Sequence, residues 1–443
     1  MINRMLCVVL LILVNNGDRT WLVAQDTAVP SKSAPREIDA YLARPEPDFA
    51  WQTVSEDKVN NTRVVRIELT SQRWQGIVWK HSLMVYEPQQ LVHPNHMLLF
   101  ITGGNNGNAP SDAELAMGVS MATMCGARIA VLHQVPNQPL MDGRTEDDLI
   151  TETWLKYLET GDASWPLLFP MVKSAVKALD ALEQIAAKQG WGRPQGFVVA
   201  GASKRGWTSW LTAAAESRII GTAPMVIDML NFPVQMKHQI EMWGAPSEQI
   251  HDYTSKGLIS ENGEPRAGRE TQLWQMMDPF QYRDRLKLPK LLIVGANDRY
   301  WTTDAMNQYW DDLQGDKYIH RVPNGGHGLE GGRDGALATL GVFFRHTVSG
   351  AKLPLMSWTA SLGEEEISIV TNCDTKPIQA KLWVAESESM DFRDSRWQSQ
   401  DMIADGNSFR GAVQPKKHQA IFAELSFESE GIPYLLSTLA YCR

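Results

Sequence analysis

Cysteine is scarce in this chain, with four among 443 residues, and none stands at the short paired spacing of a zinc site. Cys7 falls inside the N-terminal apolar run. Cys125 ends Met121-Ala122-Thr123-Met124-Cys125, where a helix end buries a thiol, and only Cys373 and Cys442 remain as candidates to pair in an oxidising compartment. Apolar segments long enough to cross roughly 30 Å of hydrocarbon are also missing, so stable membrane insertion is not expected. Positive charge is not in excess either. Lys and Arg number 42 against 51 Asp and Glu, a net charge of −9 without long like-charge blocks. Nucleic acid and anionic membranes are thereby disfavoured as partners, because both reward clustered cations. There is no internal repeat and no low-complexity stretch. With 43% hydrophobic and 21% charged residues, the composition is that of an ordinary globular protein.

What is present begins with a targeting segment. Arg4 precedes the apolar run Leu6–Val14, and small residues follow near Ala24, the pattern of a cleaved secretory signal peptide over residues 1–24. Cleavage there removes Arg4, Asp18 and Arg19 and leaves the balance acidic. The expected location is secreted or periplasmic. A length of 443 residues predicts two further domains.

From Asn61 to about Ser349 strand-like and helix-like runs alternate, as in an α/β sheet, and residues 40–350 read as one catalytic domain. Thr62–Thr70 and Ile77–Tyr86 alternate apolar with polar residues and predict a hairpin. Met97–Ile101, Arg128–Leu132, Gly196–Ala200, Ala223–Ile227, Lys290–Val294 and Tyr318–Val322 read as strands, mostly short apolar runs of the kind a buried sheet contains. Helices are expected at Asp112–Cys125, Pro166–Gln189, Trp207–Ala215 and Asp334–Thr347. The long connection at about 230–285 predicts a lid. After Gly350 helical periodicity stops, and residues 354–443 read as a small β-sandwich.

The chemistry lies where three of these strands end. A serine hydroxyl needs an adjacent base, and the base needs a carboxylate to fix its tautomer. Ser203 stands between Gly196–Ala200 and the next helix, in Gly201-Ala202-Ser203-Lys204-Arg205-Gly206; taken alone, that segment also fits a serine capping a helix. Asp298 follows Lys290–Val294 in Gly295-Ala296-Asn297-Asp298, where a turn-forming Asp is the plainer alternative, and Asp228 is a rival acid. His327, in Asn324-Gly325-Gly326-His327-Gly328, is the one histidine of ten flanked by glycines in this way. Serine, acid and histidine in this order, each after a strand, is the arrangement of an α/β-hydrolase. The glycine expected two residues after Ser203 comes one residue late, at Gly206.

Two N–H donors should hold the oxyanion: the backbone of Lys204, and Gly104 or Asn105 in Thr102-Gly103-Gly104-Asn105-Asn106-Gly107. Lys204 and Arg205 put two positive charges beside the nucleophile, placed to hold a substrate carboxylate or to support the oxyanion; for Arg205 an ion pair with a structural acid under the sheet is the plainer reading. Among the sixteen tryptophans, Trp243, Trp274 and Trp301 fall in or beside the lid and acid loop, and Trp301 is taken as a substrate contact, with plain packing the alternative. No metal or other cofactor is implied.

These segments, with Trp207 after Gly206, resemble the PhoPQ-activated pathogenicity-related family, which includes the autocrine proliferation repressor proteins. The resemblance runs from about Tyr41 through most of the chain. It implies an α/β-hydrolase fold with a mostly parallel sheet and a signal peptide, and it accounts for Lys-Arg-Gly after the serine. It says little about substrate, since the family is described mainly through virulence and signalling. The expected function is a secreted serine hydrolase, an esterase or peptidase, acting through Ser203, Asp298 and His327 on a small-molecule, sugar-ester or peptide substrate. The basic pair after the nucleophile is locally similar to glucuronoyl esterases. A secreted binding or signalling protein that keeps the hydrolase scaffold without its chemistry is the other class considered. Oligomeric state is not legible.

Overall fold

Two-residue turns start the sheet. Asn60-Asn61 and Gln75-Gly76 all hold positive φ, the conformation that closes a tight antiparallel hairpin. They join β1 (Ala50–Val59), β2 (Thr62–Trp74) and β3 (Ile77–Glu87), with Val59 opposite Thr62 and Trp74 opposite Ile77. The computed structural model describes residues 34–443, which form one compact unit; the signal-peptide reading of residues 1–24 lies outside them. A short helix, α1 (Glu37–Leu42), buries Ile38 and Tyr41 against the main core.

Six parallel strands continue the sheet: β4 (His96–Ile101), β5 (Arg128–Leu132), β6 (Gly196–Ala202), β7 (Ile219–Met225), β8 (Lys290–Gly295) and β9 (Lys317–Val322). The order across the sheet is β1-β2-β3-β5-β4-β6-β7-β8-β9, antiparallel only in its first part. Residues alternate between two cores, as strand geometry requires. Leu99, Ile101 and Val199 pack with α3 (Glu146–Thr160), α4 (Leu168–Gln189) and α5 (Lys204–Ala215) on one face. Leu98, Phe100 and Val198 pack with α2 (Asp112–Cys125) and α9 (Arg333–Ser349) on the other. Between β7 and β8 the chain makes α6 (Phe232–Trp243), α7 (His251–Ser255) and α8 (Arg269–Met277). The fold is thus an α/β-hydrolase with a mostly parallel sheet. Among the described residues no helix is long and apolar enough to cross a membrane.

The C-terminal strands form two antiparallel sheets. One runs β10 (Met356–Leu362), β11 (Ile367–Cys373), β15 (Ser408–Val413), β14 (Ile403–Asp405); the other runs β13 (Gln398–Asp401), β12 (Gln379–Glu386), β16 (Gln419–Ser429), β17 (Ile432–Ser437), with β18 (Tyr441–Cys442) on β16. The sheets face each other closely enough that a Cβ on Gly411 would lie 2.7 Å from that of Leu382. The pairing considered for Cys373 and Cys442 is not made: both thiols are free. Cys373 packs beside Tyr434 in the second core, whereas Cys442 lies near Arg321 and Asp304 behind the sheet edge.

Candidate active site

At the end of buried β6 the chain must reverse into α5 within one residue, and Ser203 takes that strain at φ 57°, ψ −126°. Its N–H donates to Met225 O at 2.9 Å, which ties the turn to β7. Gly206 explains the displaced glycine. A Cβ there would come within 2.9 Å of Gly201 O and 3.0 Å of Met225 O, so this position on α5 must be bare while position 205 carries a side chain.

Ser203 Oγ lies 2.9 Å from His327 Nε2, and His327 Nδ1 lies 2.9 and 3.1 Å from the two oxygens of Asp298. The carboxylate selects the tautomer with Nδ1–H donating, which leaves Nε2 to accept from the serine hydroxyl. Asp298 is nearly buried, and the Tyr300 N–H donates to its Oδ1 at 3.0 Å. The Tyr300 ring lies over the imidazole with centroids 4.3 Å apart. Asp228, the rival acid, instead accepts the Tyr309 hydroxyl at 2.5 Å; burial raises its pKa to about 6.

The two cations after Ser203 are engaged by acids that the sequence alone does not single out. Arg205 Nη1 and Nη2 grip both oxygens of Glu146 at 2.8 and 2.7 Å, and its Nε donates to Val135 O at 2.6 Å. Lys204 Nζ sits 3.2 Å from Glu146 and 3.0 Å from Asp147, whose other oxygen accepts the Tyr253 hydroxyl at 3.1 Å. Burial alone would raise the Glu146 pKa; the Arg205 bonds and charge, with Lys204, outweigh it and bring the value to about 2. Gln138 adds two bonds to Glu146, one to its carboxylate and one from its N–H. Glu146 itself holds φ 52°, unusual for a long side chain. Thr145 followed by three acids at the head of an amphipathic run was the available signal for this helix start.

Gly103 packs on the same guanidinium, where a Cβ would fall 2.4 Å from Arg205 Nη2. The expected oxyanion donors Gly104 and Asn105 follow on an exposed loop, and Gly104 holds φ 112°. Lys204 opens α5, so its N–H has no intrahelical acceptor. Ser203, Lys204 and His327 border a cavity of about 630 Å³, its mouth included, walled by Trp154, Trp207, Phe232, Trp274, Tyr300 and Trp301 among others. Trp274 and Trp301 therefore both face this cavity. Trp243 does not line it and carries the Arg393 guanidinium 4.0 Å above its ring.

The chain is similar to several known proteins. Acetyl xylan esterase 1 from Thermoanaerobacterium sp. JW/SL YS485 superposes with a TM-score of 0.49 at 16% identity, over 71% of this chain and 95% of that one. An acetyl xylan esterase from Paenibacillus sp. R4 gives 0.47 at 14% identity, over 66% and 86%. In sequence, autocrine proliferation repressor protein A of Dictyostelium discoideum is 30% identical over 378 residues, 81% of this chain and 76% of the relative. Residues 38–393 match the PhoPQ-activated pathogenicity-related proteins. On that match and that relative, the chain belongs to the PhoPQ-activated pathogenicity-related protein family.

Proposed function

We propose that this protein is an exported serine hydrolase that cleaves an ester or amide through an acyl-enzyme. The observation that carries the reading is the unbroken contact series from Ser203 Oγ to His327 to Asp298, each within 3.1 Å, with the serine held at a strained strand-to-helix turn. His327 Nε2 takes the hydroxyl proton as Oγ bonds to the substrate carbonyl carbon, and Asp298 stabilises the imidazolium. The oxyanion is met by the Lys204 N–H at the start of α5, and by Gly104 or Asn105 in the loop that Arg205 braces. His327 then protonates the leaving group as its bond to carbon breaks. Water, deprotonated by the same imidazole, then bonds to the acyl carbon; the bond from that carbon to Oγ breaks, the acid product leaves, and the imidazolium returns its proton to Ser203 Oγ.

Export rests on Arg4 and the Leu6–Val14 run, with cleavage near Ala24. Expression of the full chain, followed by fluorophosphonate labelling and N-terminal sequencing of the exported fraction, tests both parts. The expected product starts near Gln25 and labels at Ser203, with labelling lost in Ser203→Ala. Equal labelling of the two proteins removes the hydrolase reading, and an intact N-terminus removes the cleaved signal.

A further inference from the structure

The cavity beside Ser203 is apolar although two cations follow the nucleophile. Lys204 and His327 are the basic side chains among the described residues that line it, and the Lys204 ammonium is held between Glu146 and Asp147. Arg205 is 8% exposed and all three of its donor nitrogens are engaged, by Glu146 and by Val135 O. Two positive and two negative charges therefore close on one another behind the serine. Asp252 adds a further negative charge near Tyr253 and Tyr300.

The wall is a continuous series of aromatic contacts as well as being apolar. Trp154 meets Trp207 edge to face at 6.0 Å, Trp207 meets Phe232 at 5.6 Å, and Phe232 meets Trp274 at 6.0 Å. A carboxylate entering this box would leave water without gaining an uncommitted cation, which is strongly unfavourable. An uncharged aromatic or aliphatic group meets no such penalty. The positive φ of Glu146 fits this role, because backbone strain at a site residue persists only where the surroundings impose it.

We propose that Glu146 and Asp147 are specificity-determining residues: by neutralising Lys204 and Arg205 they make the cavity beside Ser203 select an uncharged apolar group of the substrate and reject a carboxylate. This rests on the hydrolase reading for the word substrate, but its test does not use turnover. Indole rings line the cavity, so ligand binding is read by tryptophan fluorescence on the full mature chain, in the wild type and in Ser203→Ala. The ligands are 3-phenylpropanamide and its ring para-carboxylate, equal in amide head and ring.

In the wild type the neutral ligand should bind at least about tenfold more tightly. Asp147→Asn keeps a polar group for Tyr253 and Lys204 but leaves one cation uncompensated, and should narrow the ratio to below about threefold. Adding Lys204→Met to that variant should restore the wild-type preference. Equal binding of the two ligands by the wild type overturns the proposal. So does a ratio unchanged in a folded Asp147→Asn, the outcome expected if the acids only brace the fold. If Asp147→Asn does not fold, Lys204→Met alone decides: a neutral preference kept or enlarged supports the proposal, and one that collapses overturns it. Fluorophosphonate labelling of Ser203 is scored separately, so a failed hydrolase reading and a failed selectivity are told apart.

Discussion

Ser203 sits at a φ of 57°, and a non-glycine residue there costs on the order of 1–3 kcal/mol. The gain is placement, because the turn lifts Oγ out of the sheet to within 2.9 Å of His327. In the proposed mechanism Asp298 acts by fixing the imidazole, not by touching substrate. Asp298→Asn keeps the shape but presents an amide to Nδ1 and favours the wrong tautomer. The rate of hydrolysis of a nitrophenyl ester should then fall about 10³- to 10⁴-fold while the thermal midpoint stays near that of the wild type. A loss under tenfold would transfer the role of the acid to another residue, with Asp228 next to be tested. The serine, acid and histidine could be read from sequence because each follows a short apolar strand and stands beside glycine or alanine. Glu146 and Asp147 could not be read in the same way. Their partners Lys204 and Arg205 lie nearly sixty positions away, and only the packing of α3 against α5 brings the four charges together.

Helix α6 rests on the loop that carries the acid. Gln235 Nε2 donates to Ala305 O at 2.8 Å, Gln239 Nε2 to Tyr300 O at 2.9 Å, and His238 Nε2 meets Asp304 Oδ1 at 2.8 Å. Burial pushes the His238 pKa down, but the hydrogen bond and charge of Asp304, with Glu241 nearby, outweigh it and raise the value above the ordinary one. A raised folded-state pKa stabilises the protein below the unfolded value of about 6.5, and that contribution is lost as pH climbs through the folded value. The thermal midpoint should therefore fall from mildly acidic to mildly alkaline pH, and His238→Gln should flatten this fall. Parallel curves for the two proteins would show that the pair does not tie the helix down. An insertion at about 230–285 was legible as an unusually long connection, but its helices were not, since polar and aromatic residues there follow contacts with the cavity and acid loop more than a clean period. Strand β1 was missed for a related reason: most of its residues are exposed, so no apolar alternation marks it. Helix α3 was missed even though Leu149, Ile150, Trp154 and Tyr157 do recur at helical spacing after its acidic start.

At the scale of the molecule, the C-terminal sheets share a core with the hydrolase sheet. Ile369, Leu382, Tyr434 and Leu436 pack in one cluster with Val322, Leu340 and Phe343. Sequence texture marks the change to β-structure after Gly350 but cannot show this joint core, because cross-element packing leaves no period in either segment. The contact extends to the site. Asn324 exchanges two hydrogen bonds with the Trp397 backbone, at 2.8 and 3.1 Å, in the loop that leads to His327. Asn297, directly before the acid, donates through Nδ2 to the carbonyls of Phe392, Arg393 and Ser395 at 3.2, 3.2 and 2.7 Å. The C-terminal β-structure thereby acts as the mount for two of the three proposed catalytic loops. Asn297→Ala removes the mount without touching the contact series itself. Misplacement of a catalytic group by roughly 1 Å costs up to about 10²-fold in rate, so kcat should drop about tenfold or more with KM little changed. Stability should fall by only about 1–3 kcal/mol from the carbonyls left without a donor. Asp298→Asn combined with Asn297→Ala should add little to the loss from Asp298→Asn alone, because both act through the position of one imidazole. Fully additive losses would mean that Asn297 affects the rate by some route other than the acid loop.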